Sequence, residues 1–568
     1  MPIPYETAFG SWSRRSTFFW AATGATVGLS NLWKFPFLAG ENGGGLFVLL
    51  YLACLLLVTL PLMLTETALG RQARHGIVLA VDGLARDAGR SLVWVWLARL
   101  SLVAGFLVLS FTAVIGAICL AYVFYGAFGL FVGAGEGEIA LTLAELVEDP
   151  SEYRDFMAWH VAFLGLVMAV SMQGVVLGLE RAFRVVVPTF LLILIGLLAY
   201  SHYAGELTAG SHYILGMRPE QVSWQSLQLA LAHAFYTLGL GMGVWVVFGA
   251  YMPDLAPLKR SVFAVALMDT LIAIMAGLAI YGLVLRTGPA AEQGFALVFL
   301  ALPASLADAP GSQFVATACF IAILLVAWTT SLALLEPAVG WFREWTGAPR
   351  GWSVIIMGVA VWAAGLGTLY SFNLWSEVTF QGGTVFRWVE LVASGLLVPA
   401  VSVALAVFVG WKLGSTRALR MIGRAPRLVA AIWFWALKLV LPLVVFYIGA
   451  HYAWSSLTNL CEGQSSAVWC QAQPVLPGEA GESLLPEGRA QPRIEAGRGH
   501  RPLPDALKPN AGEPALLEKD EPAGETPVPE AEPQSTPEAQ PGSQDRGEEA
   551  TEEMDGAAKD DEILYHSV

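Results

Sequence analysis

What most limits this chain is the recurrence of apolar runs long enough to cross a bilayer. A span needs about 20 apolar residues. Eleven candidate runs follow one another: 17–39, 46–69, 94–125, 158–177, 184–204, 227–250, 261–285, 313–340, 352–370, 387–410 and 428–450. An all-α polytopic membrane protein with eleven transmembrane helices is therefore expected. Composition agrees, with 56% of the 568 residues hydrophobic and 14% charged, against about 25% charged in soluble domains. That balance and a pI near 5.1 exclude a cytosolic enzyme, a secreted disulfide scaffold and a nucleic-acid partner. The first run follows Arg14 and Arg15 without a small-residue cleavage site, so it reads as a retained span rather than a removable signal.

The net charge of −14 is unevenly spread. Residues 455–568 carry 23 acidic and 8 basic residues, while the rest carries 23 and 24. The tail also holds 14 of the 31 prolines and too few apolar residues to offset the entropy of ordering, so it reads as disordered. The chain divides into an N-terminus 1–16, a membrane core 17–450 and the acidic tail 455–568. Cys54, Cys119 and Cys319 sit in apolar runs and read as inert packing residues. Cys461 and Cys470 follow the last run and can pair where that side is oxidising. No CxxC metal spacing is present.

Orientation follows from Lys and Arg in short loops. Arg14, Arg15, Arg71, Arg74, Arg86, Arg90, Arg181, Arg184, Lys259, Arg260, Arg343, Arg350, Lys412, Arg417, Arg420, Arg424 and Arg427 fall on one side, and the acidic loop 136–155 on the other. The N-terminus is then cytoplasmic, the tail external, and the location the cell (inner) membrane.

Two spans look wrong for plain helices. Thr23-Gly24-Ala25-Thr26-Val27-Gly28-Leu29-Ser30-Asn31 lies in the first, and Tyr236-Thr237-Leu238-Gly239-Leu240-Gly241-Met242-Gly243 in the sixth. Small-residue helix packing accounts for either one alone. The matched pair, five spans apart, points instead to an inverted repeat with interrupted helices around a midplane site. Broken backbone at that depth is tolerated only where it lines a cavity or is buried in protein.

The stretch Gly24 to Pro36, then Glu41 to Gly45, Pro61-Leu62-Met63 and Glu66 to Arg71, resembles the first two helices of the neurotransmitter:sodium symporters. Gly178 to Ala182, the sixth span, Leu297-Val298-Phe299, Leu302-Pro303, Thr329 to Pro337 and Ser371 to Ser376 extend the likeness over about residues 12 to 450. The resemblance implies the leucine-transporter fold: repeat one over about 17–204, repeat two over about 227–410, and a further helix at 428–450. It also implies sodium-driven uptake of an amino acid or related small solute by a bacterial-type transporter.

Carried over residue by residue, the resemblance implies two sodium sites. One uses the Thr26 carbonyl, Asn31, Thr237 and Asp269, with the solute carboxylate. The other uses the carbonyls of Gly24, Val27 and Val326 and the hydroxyls of Thr329 and Thr330; taken alone, the two threonines also read as bonded back to their own helix. An ionised Asp at mid-bilayer costs about 2.5–3.5 kcal/mol on insertion scales, so Asp269 is expected to face inward and meet a cation. Animal relatives typically carry Asn there and bind chloride nearby, so chloride-independent transport is expected. The solute carboxylate would meet the amides near Leu29 and Ser30, beside Ala25 and Thr26. Gly28 stands where monoamine relatives have Asp, which favours an amino acid over an amine. The side-chain pocket would comprise Val108, Tyr236, Gly239, Met242, Thr330 and Leu334. Thr112 replaces a tyrosine that in relatives holds the carboxylate, a departure that leaves a bulkier amino acid or a differently placed acid open.

Lys34 and Glu390 are expected to pair across an outer vestibule above a Tyr236 lid. Glu344 matches the acidic partner of the inner gate, but the matching Arg position holds Phe9, leaving Arg14 or Arg15 as substitutes. Glu41 and Glu66 read as braces of unwound backbone, His233 as a core residue, and Lys438 as a snorkelling or paired cation. No Ser/His/Asp set, zinc helix or phosphate loop supports an enzyme. A sodium-coupled symporter by alternating access leads; a solute sensor without net flux and an ion channel are the alternatives.

Overall fold

The structure is a computed structural model describing residues 10–286, 294–423 and 425–459. Phe9, Cys461, Cys470, Arg424 and the tail from 460 onward lie outside the described residues. The molecule is built from helices joined by short turns. The first span is two helices, α1 (Thr17–Thr26) and α2 (Leu29–Glu41). After it come α3 (Gly45–Ala73), α4 (Ile77–Asp87), α5 (Trp94–Ala127), α6 (Tyr153–Met172) and α7 (Val175–Ala204). The sixth span is also split, into α8 (Trp224–Thr237) and α9 (Val244–Tyr251). The chain continues through α10 (Leu258–Val284), α11 (Ser312–Thr346), α12 (Arg350–Phe372), α13 (Val385–Lys412) and α14 (Arg427–Thr458).

Among the described residues, nine helices are long and apolar enough to cross a membrane. The first and sixth spans fall outside that group because each is interrupted, which is consistent with the eleven expected. Some boundaries move. The expected span 158–177 ends at Met172, because Gly174 takes φ 96 and turns the chain before residues 175–177 start the next helix. Consequently α7 begins nine residues ahead of the expected 184. The last helix runs past Ala450 and past the expected tail boundary at 455, since residues 451–458 keep helical hydrogen bonding.

The helices sort into two packed groups. α3 packs on α9 and α8, while α10 packs on α1, α2 and α7. The other group is centred on α5, which packs on α11, α6 and α12. α5 is buried along most of its length, whereas α14 is mostly exposed and lies at the periphery. Close helix approach uses small residues, because in lipid the helices associate by contact and not by water release. A methyl group built on Gly70 would stand 1.7 Å from the Val246 carbonyl oxygen, and one on Gly249 would stand 2.1 Å from that of Thr67. The two glycines thus fit α3 and α9 together backbone to backbone.

Basic loops touch one another at one end of the molecule. Arg90 Nε donates to the Lys412 carbonyl at 2.8 Å, Arg417 to the Asp87 carbonyl at 3.0 Å, and Arg350 to the Ser171 carbonyl at 2.7 Å. At the opposite end, Tyr213 donates to Glu41 at 2.8 Å and Asn373 to the Val147 carbonyl at 3.2 Å. Lys438 lies over the rings of Trp411 and Trp435, at 5.1 and 5.0 Å. Cys54, Cys119 and Cys319 are buried and free.

The α3–α9 contact gives a direct test. Gly249→Ala should destabilise the protein by roughly 1–3 kcal/mol, the usual range for overpacking, because backbone rather than a flexible side chain opposes the added methyl. A lower melting temperature in detergent checks it; an unchanged value would mean that these helices are not in backbone contact.

Candidate functional site

The two interrupted spans build the site. Between α1 and α2, Val27 and Gly28 are extended, at φ −67, ψ 100 and φ −106, ψ 176. A helix end leaves its last carbonyls and first amides without partners in the helix. The break therefore brings the carbonyl end of α1 and the amide end of α2 together. Asn31 accepts the Gly28 N–H at 3.1 Å. Between α8 and α9, Gly239, Gly241 and Gly243 take φ 59, 75 and 78, where glycine alone sits without strain. Side chains from three helices satisfy the freed backbone. Trp245 Nε1 donates to the Leu238 carbonyl at 2.7 Å, the Ser101 hydroxyl to the Gly241 carbonyl at 2.8 Å, and the Gly241 N–H to the Glu66 carboxylate at 2.9 Å. Glu66 thus braces the sixth span. Glu41 does not brace it, and instead binds Tyr213.

A cavity of about 890 Å³ opens between the two breaks, within the usual range for small-molecule sites. Every expected solute-site residue lines it: Ala25, Thr26, Gly28, Leu29, Ser30, Val108, Thr112, Tyr236, Gly239, Met242, Thr330 and Leu334. Thr112 donates its hydroxyl to the Val108 carbonyl of its own helix at 2.8 Å, so its oxygen is engaged away from the cavity. Tyr236 donates to the Ser394 carbonyl at 3.0 Å and lies 5.3 Å from the Tyr452 ring. Lys34, Arg387 and Glu390 line the cavity too, as do Trp224, Gln228 and His451.

Beside the cavity, the residues expected around a first sodium ion converge on Asp269, which is fully buried. Asn31 donates to Asp269 Oδ1 at 3.1 Å, Thr237 to Oδ2 at 3.2 Å, and Thr237 also lies 3.3 Å from Asn31 Oδ1. Thr26 belongs to the last turn of α1, its hydroxyl donated to the Thr23 carbonyl at 3.2 Å. Tyr51 is a participant that the sequence reading missed: its hydroxyl donates to Asp269 Oδ2 at 3.2 Å. A tyrosine inside the apolar run 46–69 looks like packing, and its 218-residue separation from Asp269 hides the contact. His233 packs 5.6 Å from the Phe35 ring and 5.5 Å from that of Tyr51, in the manner of a core residue.

The second expected group also assembles. Gly24, Val27, Val326 and Thr329 line a cavity of about 10 Å³, roughly the room of one water-sized sphere. Thr330 donates to the Val27 carbonyl across the break at 3.2 Å. Thr329 bonds back to the Leu325 and Val326 carbonyls at 3.0 and 3.1 Å, the plain alternative for that residue.

The gates differ from expectation. Lys34 and Glu390 both line the cavity, but no ion pair within 4.0 Å joins them among the described residues, because the cavity stands open between them. Arg14 and Arg15 are exposed and do not reach Glu344. Its partner is His75, whose Nδ1 lies 3.0 Å from Glu344 Oε1.

The model of the sodium:neurotransmitter symporter family matches residues 9–127 and 144–460. The chain belongs to that family. It is 28% identical over 440 residues to the uncharacterized sodium-dependent transporter YhdH of Bacillus subtilis, covering 77% of this chain and 96% of that one. To the sodium- and chloride-dependent neutral and basic amino acid transporter B(0+) of Mus musculus it is 24% identical over 409 residues, covering 59% and 62%. Its fold matches the crystal structure of MhsT in complex with L-phenylalanine at a TM-score of 0.69 and 29% identity, over 78% of this chain and 99% of that one. This symporter-family member is thus a multi-pass, sodium-dependent transporter with the leucine-transporter fold, and not an enzyme.

Glycine's role at the second break is testable in a pair of variants. Gly241→Ala needs a left-handed alanine, worth about 1–2 kcal/mol, with its methyl 2.7 Å from Ser402 Oγ and the Val398 carbonyl. Gly83→Ala on α4 meets nothing within 4 Å and should stabilise by about 0.4–1 kcal/mol. Melting temperatures should move in opposite directions, and a neutral Gly241→Ala would contradict the unwound conformation.

Proposed function

We propose that this chain is a sodium-coupled symporter of a neutral amino acid with a large apolar side chain, working by alternating access without chloride. The observation that carries the reading is the buried Asp269 carboxylate, held by Asn31, Thr237 and Tyr51 beside the break in the first span. A carboxylate sunk among neutral donors favours a cation there. Sodium is the cation the family's name supplies. It would sit between Asp269, Asn31, Thr237 and the Thr26 carbonyl, with the solute carboxylate completing the shell. A second ion would use the carbonyls of Gly24, Val27 and Val326 with Thr329 and Thr330, where the hydroxyls turn their oxygens to the ion. With a cation bound, the Asp269 carboxylate would balance its charge, so a bound anion would not be needed.

The solute carboxylate would meet the free amides of Leu29 and Ser30 at the start of α2, an anion-binding arrangement. Its side chain would lie among Val108, Met242 and Leu334, with Tyr236 as the lid. The phenylalanine in the MhsT complex supports a large apolar side chain, and Thr112 in place of a bulkier tyrosine leaves room for one. Alternating access would rock the group of helices that holds the two broken spans against the group centred on α5. Lys34 and Glu390 would close one side and Glu344 the other. We read the end bearing the touching basic loops as cytoplasmic, by the excess of Lys and Arg. The eleven segments then carry the chain after α14 to the opposite side of the cell membrane.

In proteoliposomes an inward sodium gradient should drive accumulation and counterflow of labelled L-phenylalanine. Binding without flux would replace the symporter by a sensor, and flux without counterflow by a channel. Replacing chloride with gluconate should leave the rate unchanged; Asp269→Asn should slow uptake at least about tenfold, as expected for loss of some 1.4 kcal/mol or more of sodium binding, and chloride should partly restore it. Equal loss for the wild-type protein in gluconate would exclude chloride independence. Thr112→Tyr should favour smaller amino acids over phenylalanine in competition.

A further inference from the structure

Away from the charged end of the cavity, another contact joins the two helix groups at the corner between α3 and α4. Arg74 caps α3 with φ 59, a left-handed conformation that a non-glycine residue keeps only when its surroundings hold it. Its guanidinium is held on the end of α9, donating to the carbonyls of Ala250 at 3.1 Å and Met252 at 2.5 Å and pairing with Asp254. That turn aims the next residue, His75, at α11. His75 Nδ1 lies 3.0 Å from Glu344 Oε1, which also accepts the Gly76 N–H at 3.1 Å. The Glu344 side chain is only 7% exposed and that of His75 45%, so a nearly dry carboxylate faces an imidazole in reach of water. Glu344 Oε2 is buried without a hydrogen-bond partner. Immediately behind the pair, buried Ile77 reaches within 3.6 Å of a methyl built on Gly243, at the foot of the second break.

We infer that His75 and Glu344 are the latch of this side, and that protonation of the imidazole tightens it. Arg74 binds the corner to α9, in one helix group, while Glu344 stands on α11, in the other. Opening this side parts those groups, and the latch spans the divide. Arg343, next to Glu344 on α11, is a second cation whose charge acts on the same carboxylate; its buried Nε has no hydrogen-bond partner, and its charge is the same whether His75 is neutral or protonated. The remaining charges nearby are paired. Asp82 and Arg86 of α4 pair with each other at 2.9 Å, and Glu336 with Arg350 at 2.6 Å. Neutral His75 bonds the Glu344 carboxylate through a single N–H; the imidazolium adds a full opposite charge to the same contact. Histidine changes charge between about pH 5 and 8, so acid on this side holds it shut. This goes beyond the proposed function, and its test needs no solute.

The test uses the full chain in nanodiscs, with Cys461→Ser and Cys470→Ser and the reporter Ile77→Cys, whose labelling by a water-soluble maleimide reads opening. Rates are taken as ratios to the same protein carrying His75→Lys, which cancels the pH dependence of the thiol. From pH 6 to pH 8 the ratio should rise about fivefold, the upper end of what a partly exposed ion pair contributes. Glu344→Gln should label about fivefold faster than its parent at pH 6. A ratio that stays flat from pH 6 to pH 8 overturns the latch, as does a Glu344→Gln rate equal to the parent's. Monodisperse elution of each variant establishes folding, and the His75→Lys ratio decides the matter even where Glu344→Gln does not fold.

Discussion

A peptide group inside a bilayer has no water to bond with, and each unpaired one costs several kcal/mol. Breaking two helices at mid-membrane is therefore possible only where protein supplies the missing partners. Here they come from scattered places: Asn31 from just beyond its own break, Glu66 from α3, Ser101 from α5 and Trp245 from α9. Each brace ties unwound backbone to a different helix, so the breaks and the packing around them stand together. The glycines Gly239, Gly241 and Gly243 supply the conformations, and the braces supply the bonds.

The same desolvation gives the site its chemistry. Backbone freed at the breaks offers carbonyls from the end of α1 and amides from the start of α2, dipoles of opposite sense on one cavity wall. Asp269 adds a buried carboxyl group, held by three side-chain donors. In such surroundings the proposed alkali cation and solute carboxylate would each find a partner that bulk water would otherwise provide. The cavity wall beyond them is mostly neutral, with Lys34, Arg387 and Glu390 also among its lining residues.

The helices divide into a group holding both breaks and a group centred on α5. Within the first, Gly70 and Gly249 let α3 and α9 meet at backbone distance, so the lower half of the sixth span is fastened to α3. The groups meet through α11, which packs on α1, α7 and α9 as well as on α5, and two polar contacts cross between them: Thr330 to the Val27 carbonyl at the midplane, and His75 to Glu344 at the basic end. Polar contacts can be exchanged for water when a crevice opens, whereas a backbone-tight glycine seam cannot part without leaving a void.

Much of this was legible in the residues. Run lengths marked the membrane segments, and Gly-rich stretches in the first and sixth marked the breaks, because both follow from local chemistry: apolar length against bilayer thickness, and, in the sixth span, glycine's freedom at positive φ. The lining residues at the breaks were marked by the same stretches, whereas Val108, Thr112, Thr330 and Leu334 lie on α5 and α11 and were named only through the family resemblance. Tertiary structure alone decided the partners. Tyr51 meets Asp269 across 218 positions, and His75 meets Glu344 across 269; a tyrosine in an apolar run and a histidine in a basic loop carry no local mark of such contacts. Lys34 and Glu390, expected to pair, stand apart because the distance between two helices is set by everything packed around them. Sequence determined what each segment can be, through the cost of burying backbone and charge. Which side chains meet was decided only when the segments were packed, because a hydrogen bond depends on position in space and not on separation along the chain.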